Sequence, residues 1–403
     1  MGNADEQHFD SYRAQTRVKH AILEGYLPSY YNIIKRWQKN LLFIDGFAGR
    51  GTYSSGDGEF EGSPIRALRV ISSNKDLAKQ VLCVFFERDE GYFKSLEQRV
   101  AAFTGDHVIE KEPIMRLGKF SEQVDELLKG VDPDKGLAPT FLFVDPCGCD
   151  DVTMNHIADI LSRDYCEVFI FFNYEGINRI TGLAEKRDIA SGTLTKLYGS
   201  DAAAEAMVTA IREAKSTHER EQVIVTHYKN ALASASGAEF FLPLRIEKEG
   251  RKSTSHYLLH ATKHPLGFRI MKEVMWAASG GLECEGDHLA LLQASETGGG
   301  RLFDPAIEEL REAVLGDLAN GPERVNKYRV EWVERPEDMF CESVYRRQIL
   351  NLEADGKIEI LAADGITPMP ASKRPKRKGP TLSKDKNFVA QLAKRYDSPA
   401  MES

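Results

Sequence analysis

Apolar and polar positions along the first half of the chain fall into two alternating kinds of block. Short, nearly unbroken apolar runs recur at Leu41-Leu42-Phe43-Ile44, Val81–Phe86, Thr140–Val144 and Glu167–Phe172, with a weaker one at His107–Lys111. Between them lie longer stretches with apolar residues three and four apart, near 90–102, 119–129 and 153–162, and one opened by Ser63-Pro64. The first kind reads as strands covered on both faces and the second as amphipathic helices. Serine can cap free amides at a helix start, and proline fits the first helical position. Strand and helix alternating at this spacing predict an α/β fold: a doubly wound, Rossmann-like parallel sheet.

The flanks add to this unit. Residues 17–39 predict an amphipathic helix broken near Pro28, because proline cannot donate inside a helix. Residues 1–40 are thus expected to be N-terminal helices packing on a core domain over 41–280. That domain carries a helical insertion near 178–235, at Leu183–Tyr198, Ala202–Lys215 and Arg220–Ala233. Two strands, Phe240–Glu247 and His256–Ala261, flank a charged turn at Lys248–Lys252 and would complete the sheet as an antiparallel pair at its edge. Residues 300–365 read as a separate, small winged-helix-like module, with helices near 304–318 and 339–354, then Asp355-Gly356 and a strand at Lys357–Leu361. Residues 366–403 read as a basic flexible tail containing Lys373-Arg374-Pro375-Lys376-Arg377-Lys378, ending in a short helix at Lys386–Tyr396. Solvation alone accounts for such a tail; a nonspecific phosphate-binding arm is the sharper alternative.

Composition narrows the function classes. The chain has 403 residues, is 42% apolar and 28% charged, and carries a net charge of −8. That balance gives no global nucleic-acid signal, so a nucleic-acid substrate would need a local basic patch. No apolar run approaches the roughly 20 residues of a membrane span. The start, MGNADEQHFD, resembles neither a secretory signal nor a transit peptide, and a cytoplasmic location is expected. Six cysteines include no C-x-x-C pair, which speaks against a disulfide scaffold or a zinc ribbon; Cys147-Gly148-Cys149 stands without a second pair, and no metal site is expected.

The chemistry concentrates at strand ends. The first strand runs into Asp45-Gly46-Phe47-Ala48-Gly49-Arg50-Gly51, where the glycines let a ligand approach the backbone. Glu87 ends the second strand, one βαβ unit later, where an acid can hydrogen-bond a ribose diol. A strand, an acid, a G-x-G and a second strand-terminal acid in register form a stronger signal than the glycines alone. The chain lacks both the dinucleotide fingerprint G-x-G-x-x-G at this turn and any G-x-x-x-x-G-K-[ST], which argues against NAD and ATP hydrolysis. Another strand ends in Asp145-Pro146-Cys147-Gly148, and the next in Asn173-Tyr174-Glu175. Cys147 could be a thiolate nucleophile with Glu175 as the acid, but a buried, inert thiol is the preferred reading.

The run Asp45–Gly51 resembles motif I of class I S-adenosylmethionine-dependent methyltransferases, particularly the D-x-F-A-G-x-G form of DNA and RNA methyltransferases. The resemblance implies S-adenosylmethionine as cofactor, with Asp45, Gly46, Phe47, Ala48, Gly49 and Gly51 around its methionine end and Glu87 at the ribose. It further implies an acid near the third strand, Asp106 or Glu112, at the adenine, and Asp145, Pro146, Cys147 and Asn173 about the acceptor. Asp145-Pro146 is similar to the D-P-P-Y of amino-methyltransferases but lacks its aromatic residue.

Over roughly 17–280 the chain resembles the three-Cys-motif partner (TcmP) family of bacterial and phage-associated proteins. The likeness rests on Lys19-His20-x-Ile22-Leu23, Phe43-Ile44-Asp45-x-Phe47-Ala48-Gly49-x-Gly51, Gly62-Ser63-Pro64, Phe143-Val144-Asp145-Pro146-x-Gly148, Asn178-Arg179 and Ala261-Thr262-Lys263-His264-Pro265-x-Gly267. It implies a partner bearing three cysteines, of radical-SAM type. Two functions follow: a methyltransferase acting on DNA or RNA, or a noncatalytic scaffold or specificity subunit for that partner. Arg179 could bind a substrate phosphate or carboxylate, or serve a structural ion pair. The segment Lys248–Lys272, with Arg251, Lys252, Lys263 and His264, could bind a nucleic-acid backbone or form a solvated hairpin tip. His260 and His264 are expected to pack and cap rather than bind metal.

Overall fold

The computed structural model describes residues 14–55, 58–132, 136–146, 148, 152–187, 192–248, 251–279, 283–284, 305–335, 338, 340–374 and 388–393. The chain divides into two compact units, Met1–Leu292 and Gln293–Ser403.

The first unit is built on an eight-stranded sheet. Its strands are β1 (Leu41–Asp45), β4 (Val81–Glu87), β5 (Ile114–Leu117), β6 (Thr140–Val144), β7 (Glu167–Phe172), β8 (Phe240–Lys248), β9 (Arg251–Thr262) and β10 (Glu283–Cys284), in spatial order β10-β8-β9-β7-β6-β1-β4-β5. A separate hairpin, β2 (Thr52–Ser55) with β3 (Gly58–Glu61), interrupts the connection after β1. The pairs β1–β4, β4–β5, β1–β6 and β6–β7 are all parallel, whereas β9 runs antiparallel to both β7 and β8. This is a doubly wound, Rossmann-like sheet, with one reversed strand inserted between two that run with the rest.

Side-chain alternation along β1 shows why the sheet is covered twice. Leu41 and Phe43 enter a core with Tyr26, Leu27 and Tyr31 of α1 (Ala14–Ile34) and Leu68 of α2 (Ser63–Ser72). Leu42 and Ile44 enter a second core on the other face, with Val124, Ile157, Met207 and Ile224. Those residues belong to helices that follow α3 (Lys75–Gln80) and α4 (Glu90–Asp106): α5 (Phe120–Lys129), α6 (Met154–Leu161), α9 (Asp201–Glu213) and α10 (Thr217–Ser236), the last two preceded by α7 (Tyr174–Arg187) and α8 (Gly192–Tyr198). Helix α11 (Pro265–Ser279) packs beside α1.

Two expectations change here. Helix α1 runs unbroken through Pro28, because the buried row Val18, Ile22, Tyr26, Tyr30 outweighs one missing hydrogen bond. The expected strand His107–Lys111 is absent; β5 lies later, at Ile114–Leu117, where it forms the sheet edge and leaves its end residues exposed. An edge strand lacks the two-sided burial that writes an apolar run into a sequence. His107 instead closes α4, its ring stacked on Phe103 at 3.9 Å and its Nδ1 3.0 Å from the Phe103 carbonyl.

The second unit contains α12 (Pro305–Leu318), β11 (Glu323–Arg324), a π-helical turn Lys327–Trp332, α13 (Glu342–Ala354), β12 (Ile358–Leu361) and β13 (Val389–Leu392). Its three strands form an antiparallel sheet in the order β11-β13-β12 around a core of Leu310, Val314, Tyr328, Trp332, Ile349, Ile358 and Ala390. The helix expected at Lys386–Tyr396 is therefore a strand over its described part, because pairing with two neighbours overrides a local helical preference.

Candidate active site at the strand switch point

From β1 the chain moves outward to β4 and β5 on one side and returns to β6 and β7 on the other. The carboxyl ends of β1 and β6 thus flank the place where strand order reverses, which in an open α/β sheet is where ligands bind. The described residues form a pocket there. It is lined by Phe47, Ala48, Gly49, Arg50 and Gly51 after β1, by Asp145 and Pro146 after β6, and by Phe171 and Asn173 at the end of β7.

The turn after β1 is drawn tightly onto the sheet. Gly46 N–H donates to the Phe143 carbonyl at 2.9 Å and Ala48 N–H to the Phe86 carbonyl at 2.9 Å. Gly49 and Gly51 have φ of 62° and 78°, a region that residues with a Cβ seldom occupy. A Cβ at Gly46 would lie 2.7 Å from the Phe120 ring, so that glycine serves packing and lies outside the pocket lining.

Asp45 sits beneath the turn, fully buried, with Oδ1 accepting from Phe47 N–H at 3.1 Å. Burial pushes its carboxyl up to about 7; the Ser63 hydroxyl and the Phe47 amide oppose this, the Asp145 charge adds to it, and Lys19 counters it. It supports the turn rather than lining the pocket.

Glu87 ends β4 where expected. One carboxylate oxygen accepts Gly49 N–H at 2.8 Å and the other accepts Asp89 N–H at 2.8 Å. Burial raises its pKa against these hydrogen bonds and a third from the Arg88 backbone. It therefore spans the glycine turn and the start of α4.

Helix α1 supplies what the sequence reading missed. Gln15, Thr16 and Lys19 line the pocket, and Lys19 Nζ forms an ion pair with Asp145 Oδ2. The same ammonium stands 4.9 Å from the centre of the Phe171 ring, and His256 of β9 stacks on that ring at 4.2 Å with the planes 12° apart. Tyr53 of β2 joins the lining, 5.6 Å from His20. Burial, then Lys19 and Arg66, hold the His20 pKa well below its ordinary value. In the sequence Lys19-His20 is visible only as part of a family likeness, Phe171 reads as a strand residue, and His256 reads as a strand residue within the basic segment Lys248–Lys272.

Other expected site residues lie elsewhere. Glu112 is exposed and precedes β5, so it sits at the amino end of a strand whose carboxyl end faces the site; Asp106 closes α4 and is no better placed. The carboxyl end of β5 reads Leu117-Gly118-Lys119 and offers no acid. Asn173 lines the pocket, but its Oδ1 already accepts Gly176 N–H at 2.8 Å as a cap of α7. Glu175 pairs with Lys248 on the surface at 2.7 Å. Arg179 is exposed on α7 outside the pocket lining, while its neighbour Asn178 accepts from Arg220 Nε at 2.7 Å. Cys147, and the side chains of Arg251 and Lys252, lie outside the described residues.

The basic segment Lys248–Lys272 does not assemble into one patch. Strand β9 carries His256 to the pocket, buries His260 against Glu167 at 2.8 Å, and delivers Lys263 and His264 to the opposite end of the sheet. Lys263 there donates to the Ser162 and Arg163 carbonyls at 2.6 and 2.7 Å, the ring of His264 accepts Leu266 N–H at 3.3 Å, and Lys272 is buried in α11. A strand of this length spans about 40 Å at roughly 3.3 Å per residue, too far for its ends to share a site.

No family model and no curated protein matches the chain. Solved structures do. Protein LPL1258 from Legionella pneumophila aligns with 64% of this chain and 92% of its own, at 11% identity and a TM-score of 0.36. An O-methyltransferase from Bacillus cereus in complex with SAH aligns with 61% and 80%, at 13% identity and a TM-score of 0.31. Trm1 from Pyrococcus horikoshii, solved with S-adenosyl-L-methionine, aligns with 66% of this chain and 59% of its own, at 11% and 0.34. The strand order, rather than these scores, defines the fold.

Proposed function

We propose that the first unit binds S-adenosylmethionine in this pocket and transfers its methyl group to an acceptor on nucleic acid. The observation that carries the reading is the meeting, at the strand switch point, of a turn with two left-handed glycines, a strand-terminal Glu87 bonded to that turn, and Asp145. The likeness of Asp45–Gly51 to the motif of DNA and RNA methyltransferases supports both cofactor and acceptor class. S-adenosylmethionine supplies an electrophilic methyl group on a sulfonium.

The residues fit that group. A carboxylate has about four lone-pair sites, and Glu87 spends three on the backbone amides of Gly49, Asp89 and Arg88, so it keeps about one for a ribose hydroxyl. Gly49 and Gly51 take the left-handed backbone that lets the turn present its main chain to the cofactor. Lys19 and Asp145 stand together in the lining as adjacent cation and anion, the complement of an amino-acid end or a polar acceptor. Asp145, held in place by Lys19, can accept a hydrogen bond from the acceptor and orient it, while Pro146, Phe171 and the His256 ring stacked on Phe171 form one wall. Positioning of this kind is the main lever on an in-line transfer.

Calorimetric titration with S-adenosylmethionine and with its demethylated product tests the reading. Binding of both, weakened at least about tenfold by Glu87→Ala, is expected from loss of a charged hydrogen-bond acceptor. Failure of both to bind overturns it.

A second reading has one observation behind it: Asp145 is already engaged by Lys19. The unit would then keep the pocket and act as a scaffold or specificity subunit for a three-cysteine partner. Unchanged methylation of DNA or RNA by the assembled system carrying Asp145→Ala would favour this second reading.

A further inference from the structure

Helix α13 of the second unit has two unlike sides. Val344, Tyr345, Gln348, Ile349 and Leu352 are buried. Ser343, Arg346, Arg347, Asn351 and Ala354 recur at helical spacing along the outward side, while Leu350 packs against the core. Charge is sorted between the two. The helix has two acids, and each is neutralised from elsewhere in the unit: Glu342 by Arg329 at 2.6 Å, and Glu353 by Arg374. Asp355, just past the helix end, is likewise taken by Arg311. Arg346 and Arg347 are exposed and engage no hydrogen bond or ion pair among the described residues.

The ion pair of Arg374 with Glu353 also brings residues 371–374 against α13, with Lys373 exposed beside it. The sequence runs on from there into Lys376-Arg377-Lys378. Exposed cations with no ion-pair partner among the described residues thus stand on this helix face and, at Lys373, beside it.

We propose that the outward face of α13 is a docking surface for double-stranded DNA. The occupant follows from charge and shape. A row of free guanidinium groups flanked by small Ser343 and Ala354 suits a phosphate backbone approached closely. The helix is about 20 Å long and about 10–12 Å across, which the major groove of B-form DNA (about 12 Å wide) admits. The major groove of A-form RNA is too narrow for side chains to read. The proposal stands apart from the methyl-donor reading, since this face can hold DNA whether or not the pocket of the first unit takes S-adenosylmethionine.

The test uses the full chain and a labelled duplex DNA of about two helical turns, without S-adenosylmethionine, read by fluorescence anisotropy over a range of NaCl concentrations. The expected result is salt-sensitive binding that Arg346→Ala/Arg347→Ala weakens about tenfold or more, with the slope of log K against log salt shallower by roughly 2. Arg346→Lys/Arg347→Lys should keep most of that slope, and circular dichroism should show both variants folded. Equal binding by the alanine variant overturns the proposal. So does equal competition by double-stranded RNA, or by polyglutamate, which would mark the face as a site for RNA or for an acidic protein.

Discussion

Lys19 of α1 pairs with Asp145 at the end of β6 across 126 positions of sequence, with the two side chains only 5% and 12% exposed. The pair fastens the N-terminal helix to the strand switch point and presents both charges to the pocket. Removing one partner strands the other charge away from water, at a cost of about 3–5 kcal/mol for a buried pair. Lys19→Ala should therefore lower stability by an amount of that order in denaturant unfolding. The double variant Lys19→Met/Asp145→Leu should recover much of the loss, and additive losses would contradict the pairing.

Gly51 has φ 78°, and a Cβ there would meet Leu96 at 3.3 Å and Arg99 at 3.4 Å. Gly51→Ala should cost about 1–2 kcal/mol for the left-handed backbone, plus whatever α4 must yield. Thermal unfolding reads the cost, and weaker binding of S-adenosylmethionine should accompany it.

Asp45 gives a pH signature. Burial raises its folded pKa to about 7 from 3.8, so between these values the folded state binds more protons than the unfolded one. The slope of unfolding free energy against pH is then negative. The contribution of Asp45 to stability is present in full below about pH 4 and declines until about pH 7, by something on the order of 4 kcal/mol. Asp45→Asn lacks this proton. The stability difference between variant and parent should therefore move in favour of Asp45→Asn as pH rises from 4 to 7, then level off. A difference flat in pH would contradict the buried, proton-holding carboxyl.

At the opposite end of the sheet, Glu167 accepts from Tyr26 at 2.6 Å and Thr262 at 3.0 Å, and lies 2.8 Å from His260 Nε2. Tyr26→Phe deletes one of these partners and loosens α1 from β7. A loss of about 1–2 kcal/mol is expected, with ligand binding unchanged, because Glu167 begins the strand whose other end meets the pocket. Unfolding curves and calorimetry on the same variant check both halves.

What was legible in the sequence follows from what local order can encode. Leu41–Ile44 and Glu167–Phe172 announced buried parallel strands because burial on both faces requires apolar residues at every position. Gly49 and Gly51 announced a close backbone approach because few other residues take that conformation, and Glu87 followed from one βαβ repeat. Edge strand β5 left no such mark, so Glu112 was placed at the wrong end of a strand that begins later.

By itself, then, the sequence determined the doubly wound sheet, the glycine turn and the acid that closes it, all of which depend on neighbours within one βαβ unit. Tertiary structure alone decided that Lys19 meets Asp145, that Phe171 and His256 wall the pocket, and that the basic residues of β9 are parted instead of gathered. Those outcomes depend on strand order and on which end of each strand faces the switch point, and both are set by contacts among residues far apart in the chain.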